Sequence, residues 1–171
     1  MKRLPTAFVE RLDSLIDSGL DVLVGDANGT DKAVQQELLD RGATAVTVFC
    51  AGFRPRNNLG DWPTKEIHSD APAGTREFYT AKDLAMASTA DFGLMLWDAK
   101  STGTLSNVIE LTKVGKISVV YVAPDHAFTV VRDMDGLKKL IGVMSDGALE
   151  DAERKISLSV KVGDLQLGFS F

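Results

Sequence analysis

A chain of 171 residues suits one domain, which buries roughly 70 % of its unfolded surface. Its net charge of −5, with 19 Lys and Arg against 24 Asp and Glu, argues against direct nucleic-acid binding, which needs clustered cations. No apolar run is long enough to span a bilayer, and Met-Lys-Arg-Leu-Pro leads into no apolar leader segment, so neither a membrane partner nor a signal peptide is expected.

Residues 5–18 read as a helix, with Pro5 in its first turn, Phe8, Leu12, Leu15 and Ile16 on one stripe, and Gly19 beyond its end. Asp21 to Gly25 reads as a short buried strand and Asp26 to Thr30 as a turn. A second helix is expected over 31–41, with Ala33, Val34 and Leu38 inward and Gly42 closing it. Residues 45–50 read as the next strand. Residues 51–74 hold Gly52, Pro55, Gly60, Pro63 and Pro72 and read as one long loop. A third helix is expected over 76–88, with Phe78, Tyr79, Leu84 and Ala85 toward the core. A strand follows over 92–97, then a helix from Thr104 to Val114 closed by Gly115, then a strand over 117–122. Nearly all-apolar strands alternating with helices indicate an α/β fold, a doubly wound and mainly parallel sheet covered on both faces.

The chain opens on a helix, where such domains usually open on a strand. The tail looks different again. Ile156, Leu158, Val160 and Val162 alternate, as do Leu165, Leu167, Phe169 and Phe171, with Gly163-Asp164 between the runs. That pattern predicts a β-hairpin with one apolar face. The expected organisation is therefore a Rossmann-like core over 1–123 and an extension over 124–171, a helix plus the hairpin, packed on this domain or on a partner copy.

Cys50 is the one cysteine and cannot form an internal disulfide, which fits a cytoplasmic setting. It reads as a half-buried inert thiol. His68 and His126 lie in loop-like stretches, and no metal site or resident cofactor is expected.

Ligands of parallel sheets bind beyond the carboxyl ends of the strands. VGDANGTDKA, residues 24–33, is either a capped strand–turn–helix connection or an anion loop. Gly25 and Gly29 allow close backbone approach, and Asp26 and Asn28 can bond locally or to a ligand. Thr30 or Asp31 starts a helix whose first N–H groups lack partners. In WDAKSTGTLSN, residues 97–107, Asp98 ends a strand, and Ser101, Thr102 and Thr104 surround Gly103 at a helix start. A cap needs one hydroxyl, and three around a glycine suit phosphate or ribose. Arg54, Arg56 and Arg76 could clamp an anion or pair with the chain's own acids. Asn57 and Asn58 could read a base or sugar. Trp62, Phe78, Tyr79 and Trp97 are stacking or core aromatics.

LVGDANGTDKAVQQEL resembles the second strand, loop and helix of the SLOG superfamily, which includes DprA, the LOG proteins and Rossmann-like proteins related to YspA. Its Gly-x-x-x-Gly-x-Asp pattern is filled here by Gly25, Gly29 and Asp31. LMLWDAKSTGTLSNVIEL is similar to a later strand and Gly-Thr loop of that group and to the corresponding loop of nucleoside deoxyribosyltransferases. The resemblance spans about residues 1–123 and implies a homodimer that binds a nucleotide or an AMP- or ADP-ribose-like molecule. Gly25, Asp26, Asn28, Gly29, Thr30, Asp31, Ser101, Thr102, Gly103 and Thr104 would surround phosphate and ribose. Asp98 and Asn107 would take sugar hydroxyls, and Arg56, Asn58 and Arg76 would close over the ligand. In the catalytic LOG proteins a Gly-Thr-x-x-Glu glutamate acts on the N-glycosidic bond. Here Asn107 follows Gly103-Thr104-Leu105-Ser106, and an amide is neither nucleophile nor base. Binding without cleavage is the expectation. The alternatives are a nucleotide N-glycosidase, phosphoribohydrolase or ribosyltransferase using Asp26, Asp98 or Glu110, and an interaction subunit working through its hairpin.

Overall fold

The structure, a computed structural model, describes the backbone of residues 3–168 and the side chains of residues 3–166. The chain divides into two units, Met1–Met86 and Ala87–Phe171.

In the first unit, α1 (Thr6–Asp17) starts after Pro5, whose carbonyl accepts the N–H groups of Phe8 and Val9 at 3.0 Å. Phe8 and Leu12, one helical turn apart, are buried. Strand β1 (Val22–Gly25) leads through the Asp26 turn into α2 (Thr30–Asp40), then β2 (Val46–Ala51), β3 (Thr64–Ile67) and α3 (Arg76–Thr89). The three strands form a parallel sheet in the order β1-β2-β3. Its core joins Leu12, Val24, Leu38, Val46, Val48 and Trp62.

The expected loop over 51–74 therefore contains a strand. Thr64-Lys65-Glu66-Ile67 has no apolar periodicity to announce it, and Lys65 and Glu66 are exposed. Main-chain pairing holds it in place, from Val48 opposite Thr64 to Ala51 opposite Ile67. Two side chains of α3 also depart from expectation. Leu84 is exposed, whereas Lys82 is buried.

In the second unit, β4 (Phe92–Trp97) and β5 (Ile117–Val122) pair in parallel across the helix α4 (Thr102–Lys113). Strand β6 (Ala127–Val131) returns antiparallel beside β5 and makes the sheet mixed, in the order β4-β5-β6. Three helices follow: α5 (Met134–Ile141), α6 (Asp146–Ile156) and α7 (Leu158–Gly168). The core runs from Trp97, Leu105, Val108 and Ile109 through Val120, Val122 and Val131 to Leu137, Leu140, Ile156, Leu158 and Leu165.

Residues 158–168 are thus a helix and not half of a hairpin. Leu158, Val162 and Leu165 are spaced four and three apart and so share a helical face; the two-fold alternation holds only within each run on either side of Gly163-Asp164. They pack on the second unit's core, while Val160, which would have joined them on the hairpin's apolar face, is exposed. Ser157, in the left-handed region at φ 50°, separates α6 from α7. Phe169 and Phe171 lie outside the described residues. The chain is α/β in both units, with strand–helix–parallel-strand connections of Rossmann-like kind. No described helix is long and apolar enough to cross a membrane.

Candidate functional site

In the first unit the carboxyl end of β1 carries a buried cluster of charges. Asp26 follows the last residue of the strand and is 1 % exposed. Four donors reach its carboxylate. The Arg56 backbone N–H lies 3.0 Å and the Arg56 Nε 3.1 Å from Oδ2. Arg56 Nη2 and Lys82 Nζ lie 2.9 Å and 3.4 Å from Oδ1. Burial pushes the Asp26 carboxyl upward, but the Arg56 hydrogen bonds and the charges of Lys82 and Arg56 outweigh it and hold it below the usual carboxylate range. The Arg56 guanidinium lies 4.4 Å from the centroid of the Tyr79 ring. Its bonds to Asp26 use Nε and Nη2, which leaves Nη1 for an outside oxygen.

Lys82 is ringed by acids, with Nζ 3.8 Å from Asp31 and 3.5 Å from Asp83. Asp31 reaches back from the first turn of α2 to accept the Ala27 N–H at 3.0 Å. Its carboxylate and Lys82 Nζ occupy the space that a Cβ on Gly25 would need. That is a concrete reason for glycine at this position. Gly29, at φ 95°, makes the left-handed turn that starts α2. Asn57, buried, donates to the Asp26 carbonyl at 2.8 Å and to Asn28 Oδ1 at 3.0 Å. Gln35, fully buried, donates to Gly25 O and Asn57 O and accepts from the Leu59 N–H. It ties the β1 turn to the segment that brings in Arg56.

Of the sequence candidates in this unit, Gly25, Asp26, Asn28, Asp31 and Arg56 therefore meet. Asn58 is used within its own loop, donating to Trp62 O at 2.8 Å and accepting from Trp62 N–H at 3.0 Å. Trp62 is core, with Nε1 donating to Ala43 O. Thr30 is exposed at the first position of α2, and Arg76 is exposed at the first position of α3. Lys82 and Gln35 escaped the sequence reading. A signal for Lys82 existed, because it stands four residues after Phe78 and three before Ala85, on the stripe expected to face inward. Cys50 is fully buried, not half-buried, and burial together with the Asp26 charge pushes its thiol up. Among the described residues no set of His, Cys, Asp and Glu is arranged to hold a metal ion.

Asp83 differs from Asp26. Burial lifts its carboxyl above the usual range, opposed by Lys82 and reinforced by Asp31. The ionised form therefore costs stability at any pH above the folded pKa, and that cost is relieved as pH falls through it. Asp83→Asn is expected to raise the thermal midpoint at neutral pH, with the gain vanishing in acid. A pH series of melting curves checks both halves.

In the second unit, the end of β4 opens a hydroxyl-rich turn. Asp98 Oδ1 accepts the N–H groups of Lys100 and Ser101 at 2.9 and 2.6 Å. Ala99 sits at φ 60° between them. Ser101 caps α4, its Oγ accepting from Thr104 N at 3.5 Å and pairing with Thr104 Oγ1 at 3.3 Å. Trp97, 1 % exposed, donates from Nε1 to Ser101 O at 3.0 Å and so belongs to the core and not to a stacking surface. Gly103 is exposed, with only the Ser101 hydroxyl, at 4.0 Å, near the place of a Cβ. Thr102 and Asn107 are half-buried on the first turns of α4. Glu110 pairs with Lys161 of α7 at 2.7 Å. The carboxylates considered for catalysis thus each hold a structural contact, and Asp26, held below the usual carboxylate range, is a poor base.

Fold and site together define an α/β protein with Rossmann-like parallel strands, a buried ionic cluster at the carboxyl end of β1 and a serine-capped helix after β4. Comparison with known proteins gives no match to a family model, to a curated protein or to a solved structure.

Proposed function

We propose that the protein binds a nucleotide or nucleotide-derived ligand, AMP- or ADP-ribose-like, at the carboxyl end of β1. The observation that carries this reading is the Asp26–Arg56 fork. Burying an ion pair costs desolvation that a hydrophobic pair of equal volume avoids, so it is a poor way to hold a fold together. It is a good way to fix a guanidinium that keeps one nitrogen free. Arg56 Nη1 would take a phosphate oxygen, the N–H groups at the start of α2 would share that charge, and Asn28 and Asp31 would accept ribose hydroxyls. The likeness of LVGDANGTDKAVQQEL to the SLOG pattern supplies the ligand class. The turn at Ser101 to Thr104 is a second place, taken by itself, where a helix start and hydroxyls suit an anion. A homodimeric assembly belongs to the same proposal.

Calorimetry with AMP, ADP-ribose and cyclic ADP-ribose isomers tests it, and the absence of heat with every one of them would remove it. Arg56→Lys keeps the charge and loses the planar fork. It is expected to weaken binding on the order of ten-fold or more, the value of one charge-assisted hydrogen bond. Thermal unfolding of the same variant separates lost affinity from lost fold.

A further inference from the structure

Phe53 is the most exposed large apolar side chain among the described residues, at 76 %. A single exposed ring is ordinary on a protein surface; the placement of this one is not. It directly follows Gly52, whose φ of 83° turns the chain at the end of β2. A Cβ on that glycine would crowd Phe78 Cζ at 3.2 Å. The Gly52 N–H donates to Ile67 O at 2.9 Å and so ties this turn to the end of β3. His68 is the next residue, and its ring lies 4.9 Å from that of Phe53 at an interplanar angle of 55°. Both rings thus stand beyond the carboxyl ends of parallel strands, where ligands of such sheets bind. Arg56, three residues after Phe53, lies over Tyr79, which itself meets Phe78 edge to face at 5.4 Å.

We propose that Phe53, braced by His68, is the platform on which the heteroaromatic base of the ligand stacks. This rests on the nucleotide reading above and narrows it, because a ligand chosen by this surface carries an unpaired base and is not a bare sugar phosphate. Stacking needs only a π-face, so the platform selects for the presence of a base more than for its identity.

Three ligands and two variants test this. In the wild-type chain AMP is expected to bind about ten- to a hundred-fold more tightly than ribose 5-phosphate, the usual worth of one base–aromatic stack. Phe53→Ala should bring AMP down to the affinity of ribose 5-phosphate and leave ribose 5-phosphate unchanged. In Phe53→Trp, adenosine and AMP should quench the fluorescence of the new indole, whereas the native Trp62 and Trp97 are buried. Equal wild-type affinity for AMP and ribose 5-phosphate would overturn the platform. So would unchanged AMP affinity in Phe53→Ala, or no quenching by adenosine or AMP at millimolar concentration. Quenching by adenosine with no further gain from the phosphate of AMP would uphold the platform and instead sink the phosphate-holding role of Arg56.

Discussion

Asp26→Asn is expected to lower the unfolding free energy by about 3–5 kcal/mol, the usual cost of removing one partner from a buried ion pair. The carboxylate is 2 % exposed and Lys82 5 %, so water reaches neither, whereas Arg56 keeps partial contact with solvent. The amide also presents N–H donors to groups that are themselves donors, and the Arg56 backbone N–H loses a charged acceptor. The native carboxyl lies below its ordinary range. Its contribution is therefore complete at pH values above the ordinary carboxylate pKa, about 3.9, and is lost as pH falls through the depressed native value. Urea unfolding of the two proteins should show a gap that is full at neutral pH and closes in strong acid. In a Lys82→Met background the same substitution should cost less, because one stranded cation is gone. Strict additivity of the two changes would show that Lys82 and Asp26 are not coupled.

Trp97→Ala is expected to cost a comparable amount, about 3–5 kcal/mol, because it empties a fully enclosed indole from the second unit's core. Trp97→Phe separates packing from hydrogen bonding. It keeps most of the apolar surface, and its main loss is the bond from Nε1 to the Ser101 carbonyl, at about 1–2 kcal/mol, with a smaller cavity than alanine leaves. If that bond holds the cap in place, amide exchange over residues 101–105 should quicken in Trp97→Phe more than exchange in β5. Equal losses for the two variants would place the indole's worth in its hydrogen bond and not in its volume.

Sequence periodicity located the elements that bury apolar residues continuously. The apolar runs at 92–97 and 117–122 mark strands with the limits the structure gives to β4 and β5. It missed β3, which carries one apolar residue in four and is held by backbone pairing with β2, and β6, which is largely apolar but turns straight back from β5. It misjudged 158–168 because the residues alternate within each run on either side of Gly163-Asp164, while positions 158, 162 and 165 across the two runs fit a 3.6-fold repeat. Only the core packed against them decides between the two, and a local pattern does not contain that core.

The site was legible in part for the same reason. Asp26, Asp31 and Arg56 could be named from loop chemistry, but not their union, since 30 positions separate Asp26 from Arg56. Lys82 sits on a helical stripe expected to be apolar, and it is explained only by the three carboxylates around it. Glu110, three residues after Asn107, pairs with Lys161 of α7, 51 positions on. Ion pairs across many residues are tertiary facts, and sequence spacing alone does not expose them.

Strand β3 ends the first sheet with four residues, and both Lys65 and Glu66 stay in water. A foreign extended chain arriving at that border would find too few free amides for a lasting ladder and fixed charges that resist being dried. The border thus discourages strand addition on that side of the sheet.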